Sequence, residues 1–262
     1  MRFSGFLKIY LLILALILSG CAASAGDPDD ETVGMSVAEL YQAAKAKLKS
    51  KDFGTAINYY EKLESRFPYG PYAERARLEV AYAYYKDEQK ETAIVAADRF
   101  IKLYPNHSHV DYAYYLRGLA SFDNSTSFFN KLFDQKPSER DPQAVRKAFN
   151  YFAELIQRYP KSRYTPDAIK RMKELRETLA KYEVNVASYY QRQGAQLAAA
   201  NRAKYVVDNY QGTRVIPDAL AIMITSYRKL GMQDLANDAL RVLELNYPNN
   251  EKTKPLKQKT AE

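Results

Sequence analysis

Few residues in this 262-residue chain have the types and spacing for covalent chemistry. Cys21 is the single cysteine, so no disulfide can close within one chain. His107 and His109 are the only histidines, separated by Ser108 in a loop after Pro105, and a metal site there would need further ligands. No glycine-rich phosphate loop and no G-x-S-x-G elbow occurs. Acidic residues are scattered singly on helical stretches, where solvated faces account for them. No catalytic group, metal or cofactor is therefore expected. What remains is recognition of other polypeptides, and one thiol placed for covalent attachment.

The setting of that thiol is specific. Arg2 and Lys8 form a basic start, and Ile9 to Leu18 is an apolar run of ten residues. A membrane-spanning helix needs about 20. The run ends in Leu18-Ser19-Gly20-Cys21, which looks like a bacterial lipobox, with small residues before a cysteine that receives a diacylglyceryl group. Residues 1–20 thus read as a removable signal peptide, and the mature chain begins at a lipid-carrying Cys21. Ala22 and Ala23 follow, not the Asp that holds such proteins back, so the expected location is the periplasmic face of the outer membrane. Without residues 1–20, which carry two basic and no acidic groups, the net charge falls from +8 to +6. In an exported protein this excludes nucleic acid and suits acidic partner domains or an anionic membrane surface.

The elements that would position a recognition surface are helices. Ten glycines, no tryptophan and 23 tyrosines, in a chain rich in Ala, Leu, Lys and Glu, favour helix over strand. Residues 21–35, with Asp27, Asp29, Asp30 and Glu31, read as a flexible tether. Residues 249–262, with four lysines and Leu256 as the one large apolar residue, read as a disordered basic tail. Between them an aromatic residue followed by a turn recurs at Phe67-Pro68, Tyr104-Pro105, Tyr159-Pro160, Tyr210-Gln211 and Tyr247-Pro248. Upstream of each proline, small or apolar residues stand at steps of four and three. These are Ala56, Tyr60 and Leu63; Ala93, Ala97 and Phe100; Ala148, Phe152 and Leu155; Ala236, Leu240 and Leu243. Such steps share one helical face. The unit ending at Tyr210 lacks the proline but keeps the spacing in Ala199, Ala203 and Val206. The pattern resembles tetratricopeptide repeats, so the predicted fold is an all-α superhelical array of five helix-turn-helix repeats in two lobes.

Two irregularities interrupt the array. In the third unit a first helix near Asp111 to Phe122 is separated from a second, with Asp141 as N-cap and Pro142 at N1, by an insertion at residues 123–140. Its Phe128, Phe129, Leu132 and Phe133 leave open both packing onto the scaffold and contact with a partner. Then Thr165-Pro166-Asp167 opens a run of apolar residues at steps of three and four that ends at Gly194. This predicts one helix of about 28 residues, roughly 42 Å long. Residues 36–164 would form an N-terminal lobe of repeats one to three. Residues 165–248 would form a C-terminal lobe of the long linking helix and repeats four and five.

Repeats of this kind build surfaces that bind polypeptides, which leaves two classes open: an assembly scaffold for envelope proteins, or a lipoprotein linked to peptidoglycan or cell division. Specific segments separate them. Arg66-Phe67-Pro68-Tyr69-Gly70-Pro71-Tyr72, Asp98-Arg99-Phe100-Ile101, Leu116-Arg117-Gly118-Leu119 and Arg140-Asp141-Pro142-Gln143 occur in order. Leu179-Ala180-Lys181-Tyr182-Glu183 and Asn201-Arg202 follow. Over residues 38–248 these resemble the BamD family, lipoproteins of the outer-membrane β-barrel assembly (BAM) machinery. The resemblance implies a non-enzymatic scaffold that binds BamA, other lipoproteins of the complex and unfolded barrel substrates. It further implies that Arg202, with Asn201, Tyr182 and Glu183 nearby, meets an acidic residue of BamA. Gln193 and Gln196 stand where the family often shows Arg and Trp. For a substrate segment ending in an aromatic residue and a carboxylate, it implies a pocket drawn from Phe67, Tyr69, Tyr72, Tyr82, Arg99 and Arg117.

Overall fold

A computed structural model describes residues 30–132 and 142–258. Cys21, the signal segment and residues 133–140 of the insertion lie outside the described residues. The small residues picked out by spacing are the ones at helix crossings: Ala56, Ala93, Ala148 and Ala236 have no exposed surface. With only a methyl group at the contact, two backbones approach closely and the neighbouring Tyr60, Phe100, Phe152 and Leu243 fill the space beside them.

The described helices are α1 (Val37–Lys49), α2 (Phe53–Arg66), α3 (Pro71–Lys86), α4 (Lys90–Leu103), α5 (Val110–Leu132), α6 (Gln143–Arg158), α7 (Thr165–Arg192), α8 (Gln196–Asn209), α9 (Ile216–Lys229), α10 (Gln233–Asn246) and α11 (Thr253–Gln258). The first ten pair in order into five units, an all-α tetratricopeptide-like array. A capping box between Ser36 and Glu39 starts α1. Within four of the units the turn places one residue at positive φ, namely Lys51, Glu88, Gly194 and Gly231. The second helix of every unit ends the same way. Phe67, Tyr104, Tyr159, Tyr210 and Tyr247 leave the helix with φ between −121° and −136°. Each donates its N–H to the carbonyl four residues back, at 2.8–2.9 Å. Tyr210 does so without a following proline, so the fourth unit keeps the repeat's geometry. Thr165, Thr213 and Thr253 each donate a hydroxyl at 2.8 Å to the carbonyl of the nearest such aromatic residue.

First helices of neighbouring units touch along the whole array, α1 on α3, α3 on α5, α5 on α7 and α7 on α9, whereas second helices of neighbouring units do not. The first helices therefore line the inside of the curve. Buried side chains of the first unit and part of α3 form one cluster. A much larger cluster runs from Leu78 to Leu256 and passes residue 165 without a gap.

Several expectations change. The long helix has the predicted start and 28 residues. It packs between α6 and α8 as the first helix of unit four and not as a separate connector. The backbone of α5 continues to Leu132, ten residues past the expected end, so the first half of the insertion is helical. Pro142 stands at the N-cap of α6 and not at N1; Asp141 lies outside the described residues. Of the expected tether at residues 21–35, residues 21–29 lie outside the described residues, and from Asp30 the chain is docked on α2. The Asp30 carboxylate accepts from Lys62 and Arg66 at 2.7 Å and from the N–H and hydroxyl of Thr32. Lys62, then Thr32, hold this carboxyl well below the usual carboxylate range. The tail is also partly ordered. The α11 helix buries Leu256, whose carbonyl accepts from Arg228 at 2.9 Å, and Lys252 pairs with Asp218.

Candidate functional site

In the C-terminal half the predicted residues do converge. Glu183 lies on α7 and is 1% exposed. Its two oxygens accept separately, from Arg146 of α6 at 3.1 Å and from Arg202 of α8 at 2.9 Å. The guanidinium-bearing side chains remain 44% and 41% exposed. A buried carboxylate thus holds two arginines in fixed directions at the surface of three adjacent helices. Asn201 is exposed beside them and Tyr182 is half-buried. Glu183 itself cannot touch a partner; it orients those that can. Gln196 donates to the carbonyl of Gln191 at 3.2 Å, so it serves the α7–α8 turn. Sequence reasoning missed Arg146, which stands 37 residues before Glu183 with no local signature. Beside Arg146 a cleft of about 340 Å³ opens between α6, α7 and the end of α8, walled by Phe149, Asn150, Arg176, Leu179, Asn209 and Tyr210.

In the N-terminal half the six predicted pocket residues do not form one pocket. Phe67 packs on the first-unit core and Tyr72 lies 5.4 Å from the ring of Tyr41. Tyr69 is 89% exposed in the turn before α3. Arg99, on α4, pairs at 2.7 Å with Glu64, which also holds Arg77. Arg117 is the clearest correction. It is 7% exposed, donates to Asp98 and Glu154, and lies 4.9 Å and 4.2 Å from the ring centres of Tyr114 and Tyr151. Its charge is already matched by two carboxylates and it is enclosed by two rings.

Tyr82 lies on α3, one of the first helices. With Leu78, Glu79, His109, Tyr112, Arg163 and Tyr164 it lines a cleft of about 410 Å³. Rings follow one another there: Tyr82 to Tyr112 at 6.5 Å, Tyr112 to Tyr164 at 5.3 Å, and Tyr164 stacked on Tyr115 at 4.8 Å. The cation beside this wall is Arg163, 4.8 Å from the centre of the Tyr164 ring and donating to its hydroxyl at 2.7 Å. The signal for it was its place directly before Tyr164. Burial pushes the Glu79 carboxyl up, and Lys45 opposes that shift. Burial raises the Tyr112 phenol in the same way.

The family model described as outer membrane lipoprotein, YfiO, matches residues 34–243. The chain is 47% identical to the outer membrane protein assembly factor BamD of Neisseria gonorrhoeae, over 93% of this chain and 92% of that one. The chain belongs to the BamD family. BamD of Xylella fastidiosa is 39% identical, over 92% of this chain and 82% of its own. BamD of Vibrio cholerae is 35% identical, over 90% and 96%.

Three dipeptides within the segments that resemble the BamD family, Gly70-Pro71, Arg117-Gly118 and Asn201-Arg202, have separable physical roles. Gly70 takes φ +94° directly before Pro71 at N1 of α3, a turn a side chain would strain. Arg117 is the buried cation, and a Cβ on Gly118 would stand 2.5 Å from the Phe152 ring. These two serve architecture. Asn201-Arg202 lies on α8, with Asn201 exposed and the Arg202 side chain half-exposed. No helix among the described residues is long and apolar enough to cross a membrane.

Proposed function

We propose that this chain is a non-enzymatic scaffold of the outer-membrane β-barrel assembly complex, docking BamA through the Arg146–Glu183–Arg202 centre. The observation that carries the reading is the buried Glu183 holding two half-exposed guanidiniums. A guanidinium already fixed by one carboxylate keeps further N–H donors for a second, and loses less freedom when a partner binds. The relatives bear the name of an outer membrane protein assembly factor, which supports this partner over peptidoglycan or division machinery.

In this reading the lipid on Cys21 holds the scaffold at the periplasmic face of the outer membrane beside BamA and the other complex lipoproteins. The inner-face cleft at Tyr82, Tyr112 and Tyr164 takes the aromatic end of an unfolded barrel protein, with Arg163 as the cation for its carboxylate. Replacing Arg202→Glu should weaken copurification with BamA in mild detergent, and undiminished recovery would count against the docking centre. A photocrosslinker at Tyr82 should capture nascent barrel proteins; capture of cell-wall enzymes alone would favour the rival class.

A further inference from the structure

The cleft beside the docking centre contains an unmatched donor. Arg176 of α7 uses one terminal nitrogen to bond the carbonyl of Asn209 at 3.1 Å. Its Nε is buried and has no hydrogen-bond acceptor. A buried N–H left unpaired costs free energy that a ligand with an acceptor there would recover. The neighbouring carboxylate, Glu177, is committed elsewhere, accepting from the backbone N–H of Arg214 at 3.0 Å. Two other donors at hand are also committed. Asn209 Nδ2 donates to Tyr205, and Arg146 is shared with Glu183. Within the site the one carboxylate paired with an arginine is the buried Glu183, shared by Arg146 and Arg202, while Arg176 has no carboxylate partner among the described residues; Phe149 and Leu179 are apolar walls.

The spacing is informative. Arg176 and Glu183 are seven residues apart on α7, as are Arg202 and Asn209 on α8. Because the two helices run antiparallel, Arg202 faces Glu183 and Asn209 faces Arg176. Seven residues of helix are about 10 Å. Two cationic points thus lie about 10 Å apart along one seam, one at Arg202 with Arg146, the other at Arg176.

We propose that the Arg176 cleft is a second anchor of the docking surface, receiving a carboxylate side chain of the partner polypeptide about 10 Å from the one that meets Arg202. This rests on the reading that this face docks a partner, and it adds the partner's chemistry: an acidic segment with two carboxylates at that separation. On an α-helix the two would stand seven residues apart on one face, at about 1.5 Å per residue. The methylene stem of the buried one would lie against Phe149 and Leu179, and its oxygen would take the Arg176 Nε–H.

The test uses the full-length protein in detergent with ¹⁵N-labelled arginine. The probe is a synthetic helical peptide with two glutamates seven residues apart, and its two-glutamine analogue is the control. The Arg176 Nε–H resonance, assigned by its loss in Arg176→Lys, should shift with the glutamate peptide and stay fixed with the glutamine one. Arg176→Gln should weaken peptide binding by about tenfold, as for loss of one charge-assisted bond. Asn150→Asp, which leaves Arg176 intact and adds a negative charge to the wall, should weaken it as well. An Arg176 resonance that stays fixed while Arg202 shifts would overturn the second anchor and leave the docking reading standing. A shift produced by inorganic phosphate or phosphatidylglycerol vesicles but not by the peptide would overturn it in favour of another anion. If neither arginine moves and Arg202→Glu still recovers BamA, the docking reading falls too.

Discussion

Two ion-pair centres cross the array, and they are built with opposite signs. At Arg117 the buried group is a cation, with its anions Asp98 and Glu154 reaching outward, 45% and 34% exposed. At Glu183 the buried group is an anion, and the cations reach outward. The first centre ties α4, α5 and α6 together and closes its charge internally with two tyrosine rings. The second ties α6, α7 and α8 together and turns a cationic face to solvent. A buried charge of either sign can join three helices; the sign decides what the surface offers. This is why two arginines that look alike in sequence, Arg117 and Arg202, have different work.

The largest effects should come from stripping each buried charge of its partners. Replacing Arg146 and Arg202 together by alanine leaves Glu183 buried and alone, at an expected cost of about 3–5 kcal/mol in denaturant unfolding. Replacing Asp98→Asn and Glu154→Gln together should cost roughly 1–2 kcal/mol less, because the faces of Tyr114 and Tyr151 still attract Arg117. Equal costs would mean that the rings add nothing. Next comes Gly118→Ala, whose Cβ would press on Phe152 beside the first centre. A loss of roughly 1–3 kcal/mol is expected, with partner binding through the second centre unchanged.

Smaller effects test groups outside both centres. Burial raises the Glu79 carboxyl in the folded state, so its charge opposes folding at neutral pH and that penalty is relieved as pH falls through the raised value. Glu79→Gln should therefore raise the thermal midpoint slightly at pH 7, by less than about 1 kcal/mol in stability, and flatten its dependence on pH. Asp30 has the opposite sign, being depressed by Lys62 and Thr32. Its clamp holds above the ordinary carboxylate range and is lost as pH falls through the depressed value. Asp30→Asn should speed hydrogen exchange in residues 30–35 without shifting global unfolding.

Local periodicity made most of the fold legible. Alanines at fixed steps mark helix crossings because only a small side chain fits there, and the 28-residue helix announced itself through an unbroken apolar stripe. The fourth unit was readable without its proline, since the aromatic cap and not the proline makes the hydrogen bond. What the sequence hid is long-range pairing. Asp30 lies among acidic residues that read as a solvated run, yet its partners are 32 and 36 residues away. Arg117 reads as a cation for a substrate pocket, and its anions stand 19 residues before it and 37 after it. Leu256 is one apolar residue in a lysine-rich end, too little for a periodic signal, and it docks because Thr253 and Arg228 satisfy the backbone around it. The Glu183 cluster was half legible: Arg202 and Glu183 belong to the segments that resemble the BamD family, whereas Arg146 does not.

The central claim is that the outward cations of the Glu183 centre hold the partner while the Arg117 centre serves the fold. Its most direct test is the affinity of the purified chain for the periplasmic domains of BamA, with Arg202→Glu set against Asp98→Asn. The account predicts a loss of at least about tenfold for the first, as for a broken charge-assisted contact, and wild-type affinity for the second. Wild-type affinity for Arg202→Glu, in a protein with an unchanged helical spectrum, would contradict it.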